Sequence, residues 1–272
     1  RKDNPNGPFS FGSLPVICAG AVFDKPDPKP ALVNFALQNL PPMIGVAGQH
    51  DLLHHRLDDI GKTALGTLVQ AGRFTLLDHR EPLEVASVGT VIRLHGFSWG
   101  QKVRPLMEPH DLVLEVAVAH QYVWRKGHFH PGAPKEGHVP NILKRLRGYD
   151  VAVFGDNHSS FHWGVVTKTV VWNCGGFFRR RSDERNHRPS AGLLHADGTV
   201  TRHFLDVSQD RFADEAAAKL EKLPGLEGVV EELSRAADNA LDFAAAVKAK
   251  LRDRKIPEEV KREVLSLLED GK

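Results

Sequence analysis

The chain has 272 residues, of which 41% are hydrophobic and 26% are charged, and its formal net charge is +2. This balance is typical of a globular protein that buries a sizeable core, and it excludes a strongly basic nucleic-acid binder. No apolar run approaches the roughly 20 residues of a membrane span and no signal peptide is visible, so we expect a cytoplasmic protein with no membrane partner. Cys18 and Cys174 lie in apolar runs, which indicates buried free thiols in a reducing compartment.

The first part of the chain predicts a strand, a helix and a second strand. Leu14 to Ala19 and Met43 to Ala47 are short apolar runs that indicate buried strands. Between them, Ala31 to Leu40 has helical spacing. Four side chains are expected on the apolar face of this helix: Leu32, Phe35, Ala36 and Leu40. A crossover of this length predicts a parallel βαβ unit.

The rest of the chain is predicted to form further helices and strands, followed by a C-terminal segment of helices alone. We expect a helix over Leu57 to Ala71 and a short one over Val139 to Leu146. Strands are expected at residues 73–78, 85–97, 112–119, 150–154, 163–166 and 169–172. Asp197-Gly198 lies between two β-rich runs and predicts a hairpin. From Asp210 the composition favours helices, so we divide the chain into a domain over 1–208 and a helical segment over 209–272.

Three predicted strands end in side chains that commonly bind metals. These ends are Gly48-Gln49-His50-Asp51, His120, and Asp156-Asn157-His158. Sites in open α/β sheets lie beyond the carboxyl ends of the strands, so one sheet is expected to bring the three ends together. Carboxylate, imidazole and amide groups suit Mn²⁺, Fe²⁺ or Zn²⁺ better than Ca²⁺. The alternative is that each end is an ordinary polar turn, with Asp51 as a helix N-cap.

In their order and spacing these segments resemble the motifs of the calcineurin-like metallophosphoesterases. The resemblance covers residues 1 to about 206 and is closest to the SbcD-like DNA exonucleases of phages and bacteria. The family pattern runs Asp-x-His, Gly-Asp-x-x-Asp, Gly-Asn-His-Asp, a lone His, then Gly-His-x-His. The last four correspond here to Gly20-Ala21-Val22-Phe23-Asp24, Gly48-Gln49-His50-Asp51, His120, and Gly155-Asp156-Asn157-His158.

The resemblance implies a four-layer α/β/β/α sandwich with mixed β-sheets, followed here by the C-terminal helical segment. It also implies a two-metal site, with Mn²⁺ as the expected ion, that hydrolyses phosphodiester bonds through metal-activated water. Carried over by position, Gln49, His120 and Asp156 face the second metal and His158 faces the first. His50 is then the acid beside the leaving group, held by Asp51.

This sequence departs from the family pattern in ways that affect the metal ligands. It begins at Arg1, where the strand carrying Asp-x-His should already have ended. Ala21 stands where the metal-bridging Asp belongs, and a methyl group cannot bind a metal. Gln49 replaces Asn and Asp156 replaces His, and both keep a donor atom. One metal position therefore keeps up to three ligands, whereas the other keeps only His158.

The sequence leaves three functions open. The first is a metal-dependent phosphodiesterase acting on DNA, with Arg179 and Arg180 contacting phosphates and an SbcC-like ATPase as partner. The second is a degenerate fold that binds nucleic acid or a partner without catalysis. The third is a phosphoesterase for a small phosphate ester. For Arg179 and Arg180 the alternative is a solvated loop paired with Asp183 and Glu184.

Overall fold

The computed structural model describes residues 15–87, 89–110, 112–130, 132–164, 169–179 and 184–210. The chain divides into two compact units, Arg1–Phe129 with Ala133–Gln209, and His130–Gly132 with Asp210–Lys272. The first unit contains nearly all of the described residues, and the predicted C-terminal helices lie outside them. None of the helices in the described ranges is long and apolar enough to cross a membrane.

A small parallel sheet begins the first unit. Its strands, in order, are β1 (Val16–Cys18), β2 (Met43–Gly45) and β3 (Phe74–Leu76). Helix α1 (Pro30–Asn39) connects β1 to β2, and helix α2 (Ala64–Gln70) precedes β3. The predicted βαβ unit is therefore confirmed.

The buried face of α1 matches the predicted one at Ala36 and Leu40 but not at Leu32 and Phe35. Leu32 and Phe35 are 48% and 57% exposed, whereas Ala36 is buried. The chain here carries two overlapping apolar stripes with helical spacing. The stripe that packs on the core comprises Val33, Ala36, Leu37 and Leu40.

The predicted helix over 57–71 is broken at Thr63. Leu57–Lys62 forms a 3₁₀ helix, and α2 begins after Thr63. The Thr63 hydroxyl accepts a hydrogen bond from the Gly66 N–H at 3.2 Å. This is an N-cap, which satisfies an amide that the start of an α-helix leaves without a partner.

A larger mixed sheet follows. Its strands are β4 (Leu83–Ser87), β5 (Thr90–Phe97), β6 (Val113–Ala119), β7 (Val151–Phe154), β8 (Phe161–Trp163) and β9 (Val170–Asn173). The six strands lie in the order β4-β5-β6-β7-β9-β8, and β5, β6, β7 and β9 are parallel to one another. The short helix α3 (Val139–Ile142) precedes β7. The predicted hairpin is present as β10 (Ser190–Leu194) and β11 (Val200–Phe204), which pair antiparallel.

The two sheets pack face to face. Ile44 and Val46, in and just after β2, lie in one buried cluster with Val116 and Val118 of β6. Helix α2 packs on the other face of the small sheet, where Leu68 meets Phe74. Residues of α3 cover the other face of the large sheet beside Ala117 and Ala119. The chain therefore has an α/β fold, as predicted.

One buried ionic cluster crosses three strands of the large sheet. Glu115 of β6 is 1% exposed and accepts a hydrogen bond from Arg93 Nη1 at 2.9 Å. Its other oxygen lies 2.7 Å from His95 Nε2, and Arg93 also binds Glu84 of β4. Burial, together with the charge of Glu115, raises the pKa of the neighbouring Tyr149 to about 12.

A matched pair of leucine substitutions tests the packing of the two helices. Leu68 of α2 is 1% exposed, so Leu68→Ala should lower the free energy of unfolding by about 2–5 kcal/mol because it leaves a cavity. Leu32→Ala on the exposed face of α1 should change it by less than about 0.5 kcal/mol. Urea unfolding followed by circular dichroism measures both, and equal losses would mean that α1 buries the predicted face instead.

Candidate metal centre

Three of the predicted ligands come together at one point. The Gln49 side chain lies between the other two, with Oε1 at 2.5 Å from His120 Nε2 and Nε2 donating to Asp156 Oδ1 at 3.1 Å. His120 Nε2 and Asp156 Oδ1 are 3.9 Å apart. Gln49 follows β2 of the small sheet, whereas His120 and Asp156 follow β6 and β7 of the large one. The expectation that a single sheet supplies all three was therefore wrong, and the cluster lies where the strand ends of two facing sheets meet.

A backbone carbonyl fixes the orientation of His120. The imidazole Nδ1 lies 2.6 Å from the oxygen of Ala19, and the ring is almost fully buried. A carbonyl oxygen only accepts, so Nδ1 carries the proton and donates it. This orientation places Nε2 beside the side-chain amide of Gln49. This is the arrangement in which a carbonyl sets the ring orientation of a metal-binding histidine.

Three glycines leave room for this ring. A Cβ atom at Gly20 would lie 2.7 Å from His120 Nδ1, and one at Gly155 would lie 2.9 Å from the same atom. A Cβ at Gly48 would lie 2.9 Å from His120 Cε1. Gly20 also has φ +69°, a conformation that larger residues rarely adopt. The glycines that begin the three motifs are thus required by close packing around one imidazole.

Two asparagines hold the loop that carries Asp156. Asn157 is buried, donates from Nδ2 to the carbonyls of Val123 and His128, and accepts from the Ser159 amide. Asn173 donates to the carbonyls of Asn157 and Ser159. Asp156 itself has φ 76°, which is unusual for a residue other than glycine. No local sequence pattern predicts this role of Asn173, because the residues to which it donates precede it by more than ten positions.

Asp51 has a different role from the predicted one. Its carboxylate is fully buried and accepts hydrogen bonds from the amides of Val22, Phe23 and Gly48, each at 2.9 Å. Burial raises the pKa of Asp51, and these amides oppose that shift. Asp51 is also not the N-cap of a following helix, because it ends the 3₁₀ turn Gln49–Asp51 and reaches back to Gly48. It fixes the segment after Gly20 against the Gly48 turn rather than holding His50.

The remaining predicted residues lie apart from the cluster or play other roles. His158 is 73% exposed, with Nδ1 at 3.8 Å from Glu184 Oε1. His50 is exposed next to Gln49. Arg179 donates to the backbone carbonyls of residues 185 and 207, and Arg180 lies outside the described residues.

The cluster brings together one imidazole, one amide and one carboxylate. Within the described ranges, no three His, Cys, Asp or Glu side chains form a group that could hold a metal. The cluster reaches three donors only through the amide oxygen of Gln49, beside His120 Nε2 and Asp156 Oδ1. Ala21, where the bridging carboxylate is expected, lies next to Gly48 and offers only a methyl group.

Comparison with known proteins gives little further information. No family model matches the chain, and no curated protein matches it. Chains of solved structures do match, and one of them is 13% identical with a TM-score of 0.38, over 65% of this chain and 70% of that chain. A likeness this weak carries no argument about function.

Asp51→Asn tests the role of the buried carboxylate. The amide would turn N–H groups towards backbone donors, so we expect unfolding to become easier by about 1–3 kcal/mol. Hydrogen exchange at the amides of Val22 and Phe23 should accelerate together. The exposed Asp58→Asn is the matched control, and unchanged exchange at both amides in Asp51→Asn would contradict this role.

Proposed function

We propose that this chain is a calcineurin-like metallophosphoesterase of the SbcD-like type that keeps one metal position and hydrolyses phosphodiester bonds in DNA. The observation that carries the proposal is the convergence of Gln49, His120 and Asp156 from three strand ends. The facing sheets, with helical segments on their outer faces, are consistent with the four-layer sandwich of that family. The order of the motifs along the chain adds to this support.

The chain's own residues define what the site would do. His120 Nε2, the Gln49 oxygen and Asp156 would hold a divalent cation, with Mn²⁺ the expected ion. Such an ion, when bound, supplies a Lewis acid and lowers the pKa of a bound water. In the net reaction a water oxygen forms a bond to phosphorus and the bond from phosphorus to the leaving oxygen breaks. His50, the exposed residue that follows Gln49, would give the leaving oxygen its proton.

A second candidate is a phosphate-binding domain without catalysis. Two observations favour it: the methyl group of Ala21 beside Gly48, and the exposed His158 directed to Glu184. With these two residues lost as ligands, none of the residues assigned to the first metal position would bind a metal there. Binding of DNA or of a partner such as an SbcC-like ATPase would then be the remaining function.

Hydrolysis assays with Mn²⁺ separate the two candidates. We expect turnover of linear DNA and of bis(p-nitrophenyl) phosphate that stops on chelation. His120→Ala should lower the rate at least about 100-fold because it removes a ligand. Gln49→Ala should lower it as well, since the amide links His120 to Asp156.

The control is His110→Ala, at an exposed histidine outside the cluster, which should keep the parent rate. Titration calorimetry of the parent protein with Mn²⁺ should give one site, and none in His120→Ala. An absence of turnover on both substrates, with DNA binding retained, would contradict catalysis and favour the second candidate.

A further inference from the structure

A cluster of basic side chains lies beside the loop that carries Asp156. We name it the arginine–histidine patch, and it consists of Arg125, His128, His162 and Arg202. Arg125 Nη1 donates to the His162 carbonyl at 3.0 Å, and Arg202 Nη1 donates to Ser160 Oγ at 2.8 Å. His128 Nδ1 lies 3.1 Å from Ser159 Oγ. Three segments that are distant in sequence therefore place basic groups around residues 159–162.

No carboxylate neutralises the two arginines of this patch within the described residues. The ion pairs there involve Arg56, Arg80 and Arg93, but neither Arg125 nor Arg202. Among the described residues, each of the two donates a single hydrogen bond, to a neutral oxygen, although a guanidinium has five N–H groups. Most of their donors are therefore available to an anion.

The electrostatics of the two histidines agree with this arrangement. Burial, followed by the charges of Arg125 and Arg202, lowers the pKa of His128. Burial and then the charges of Arg202 and Arg125 lower the pKa of His162. Each ring thus lies near both guanidinium groups, and the positive charge of the patch comes from Arg125 and Arg202.

Aromatic rings lie among these charges. The Arg202 guanidinium is 4.6 Å from the centre of the Trp172 ring and 5.8 Å from that of Phe204. Arg188 lies over the same Phe204 ring at 4.2 Å. Phe204 is 47% exposed and His162 is exposed as well, so each can present its ring to a ligand. Arginines interleaved with exposed rings are the combination with which proteins bind single-stranded nucleic acid.

We propose that the arginine–histidine patch, together with Phe204, binds the backbone and bases of single-stranded DNA. Arg125 and Arg202 would contact phosphates, since a guanidinium matches their oxygens in pairs. Phe204 and His162 would stack on bases. The formal net charge of the chain is only +2, so the positive field is a local feature rather than a property of the whole protein. This inference goes beyond the proposed hydrolysis, because binding here needs no metal.

Fluorescence anisotropy with a labelled oligothymidylate, in EDTA, tests the patch independently of catalysis. The double variant Arg125→Gln/Arg202→Gln should weaken binding on the order of tenfold and lower the salt slope by about 1.4. Phe204→Ala should weaken binding while keeping the salt slope, because it removes stacking and not charge. Binding in EDTA needs no metal, so failure of the proposed hydrolysis remains distinguishable from failure of this site.

The matched control is Arg104→Gln/Arg147→Gln, which removes the same charge at two exposed arginines elsewhere. Equal weakening in both double variants would overturn the proposal, since it would mean binding through net charge alone. Displacement of the labelled DNA by polyglutamate as readily as by unlabelled oligothymidylate would also overturn it, in favour of an acidic protein partner. Melting curves of the arginine and Phe204 variants should coincide with that of the parent. A double variant that melts early is replaced by Arg125→Lys/Arg202→Lys, which should retain the salt slope.

Discussion

The carboxylate of Asp51 joins two separate segments, and the candidate metal centre depends on that junction. Its acceptors hold the amides of Val22 and Phe23 on one side and Gly48 on the other. This brings the turn after Gly20 against the turn after β2, and the His120 ring packs beside both. A buried carboxylate is costly unless backbone or charged donors satisfy it, and here three amides do so. The position of His120 therefore depends on the hydrogen bonds of Asp51, which is not itself one of the predicted metal ligands. The link to those ligands is the turn that carries Gln49.

The facing sheets determine which residues meet. Gln49 leaves the small sheet, whereas His120 and Asp156 leave the large one, so their distances depend on how Ile44 and Val46 pack against Val116 and Val118. Protein interiors are close-packed, and such an interface tolerates little displacement. The ionic cluster around Glu115 lies away from this interface and joins β4, β5 and β6 through side chains. It contributes to strand pairing in the same sheet that presents His120.

Local patterns in the sequence predicted the parts of the fold that depend on local chemistry. The βαβ unit and the Asp197-Gly198 hairpin follow from apolar runs and turn residues, and both are present. The buried face of α1 followed only in part, because Val33 and Leu32 begin competing stripes that only tertiary packing distinguishes. Two of the three partners of Asp51 lie 28 and 29 residues away along the chain, and Asn173 donates to residues 14 and 16 positions before it. Contacts of this range depend on the assembled sheets, so no spacing rule reveals them.

The proposals for the metal centre and for the patch are linked by electrostatics. Two divalent cations can attract a phosphodiester largely through their own charge. A site with one ion carries half of that positive charge and therefore attracts the substrate less strongly. Ala21 and the exposed His158 point to the smaller number here. Affinity for a polyanion must then come from side chains whose charge no carboxylate neutralises within the described residues. Arg125 and Arg202 meet that requirement, and Ser160, which Arg202 binds, lies in the loop that begins with Asp156. A strand held on the patch would therefore be positioned by the same loop that contributes a ligand to the metal centre.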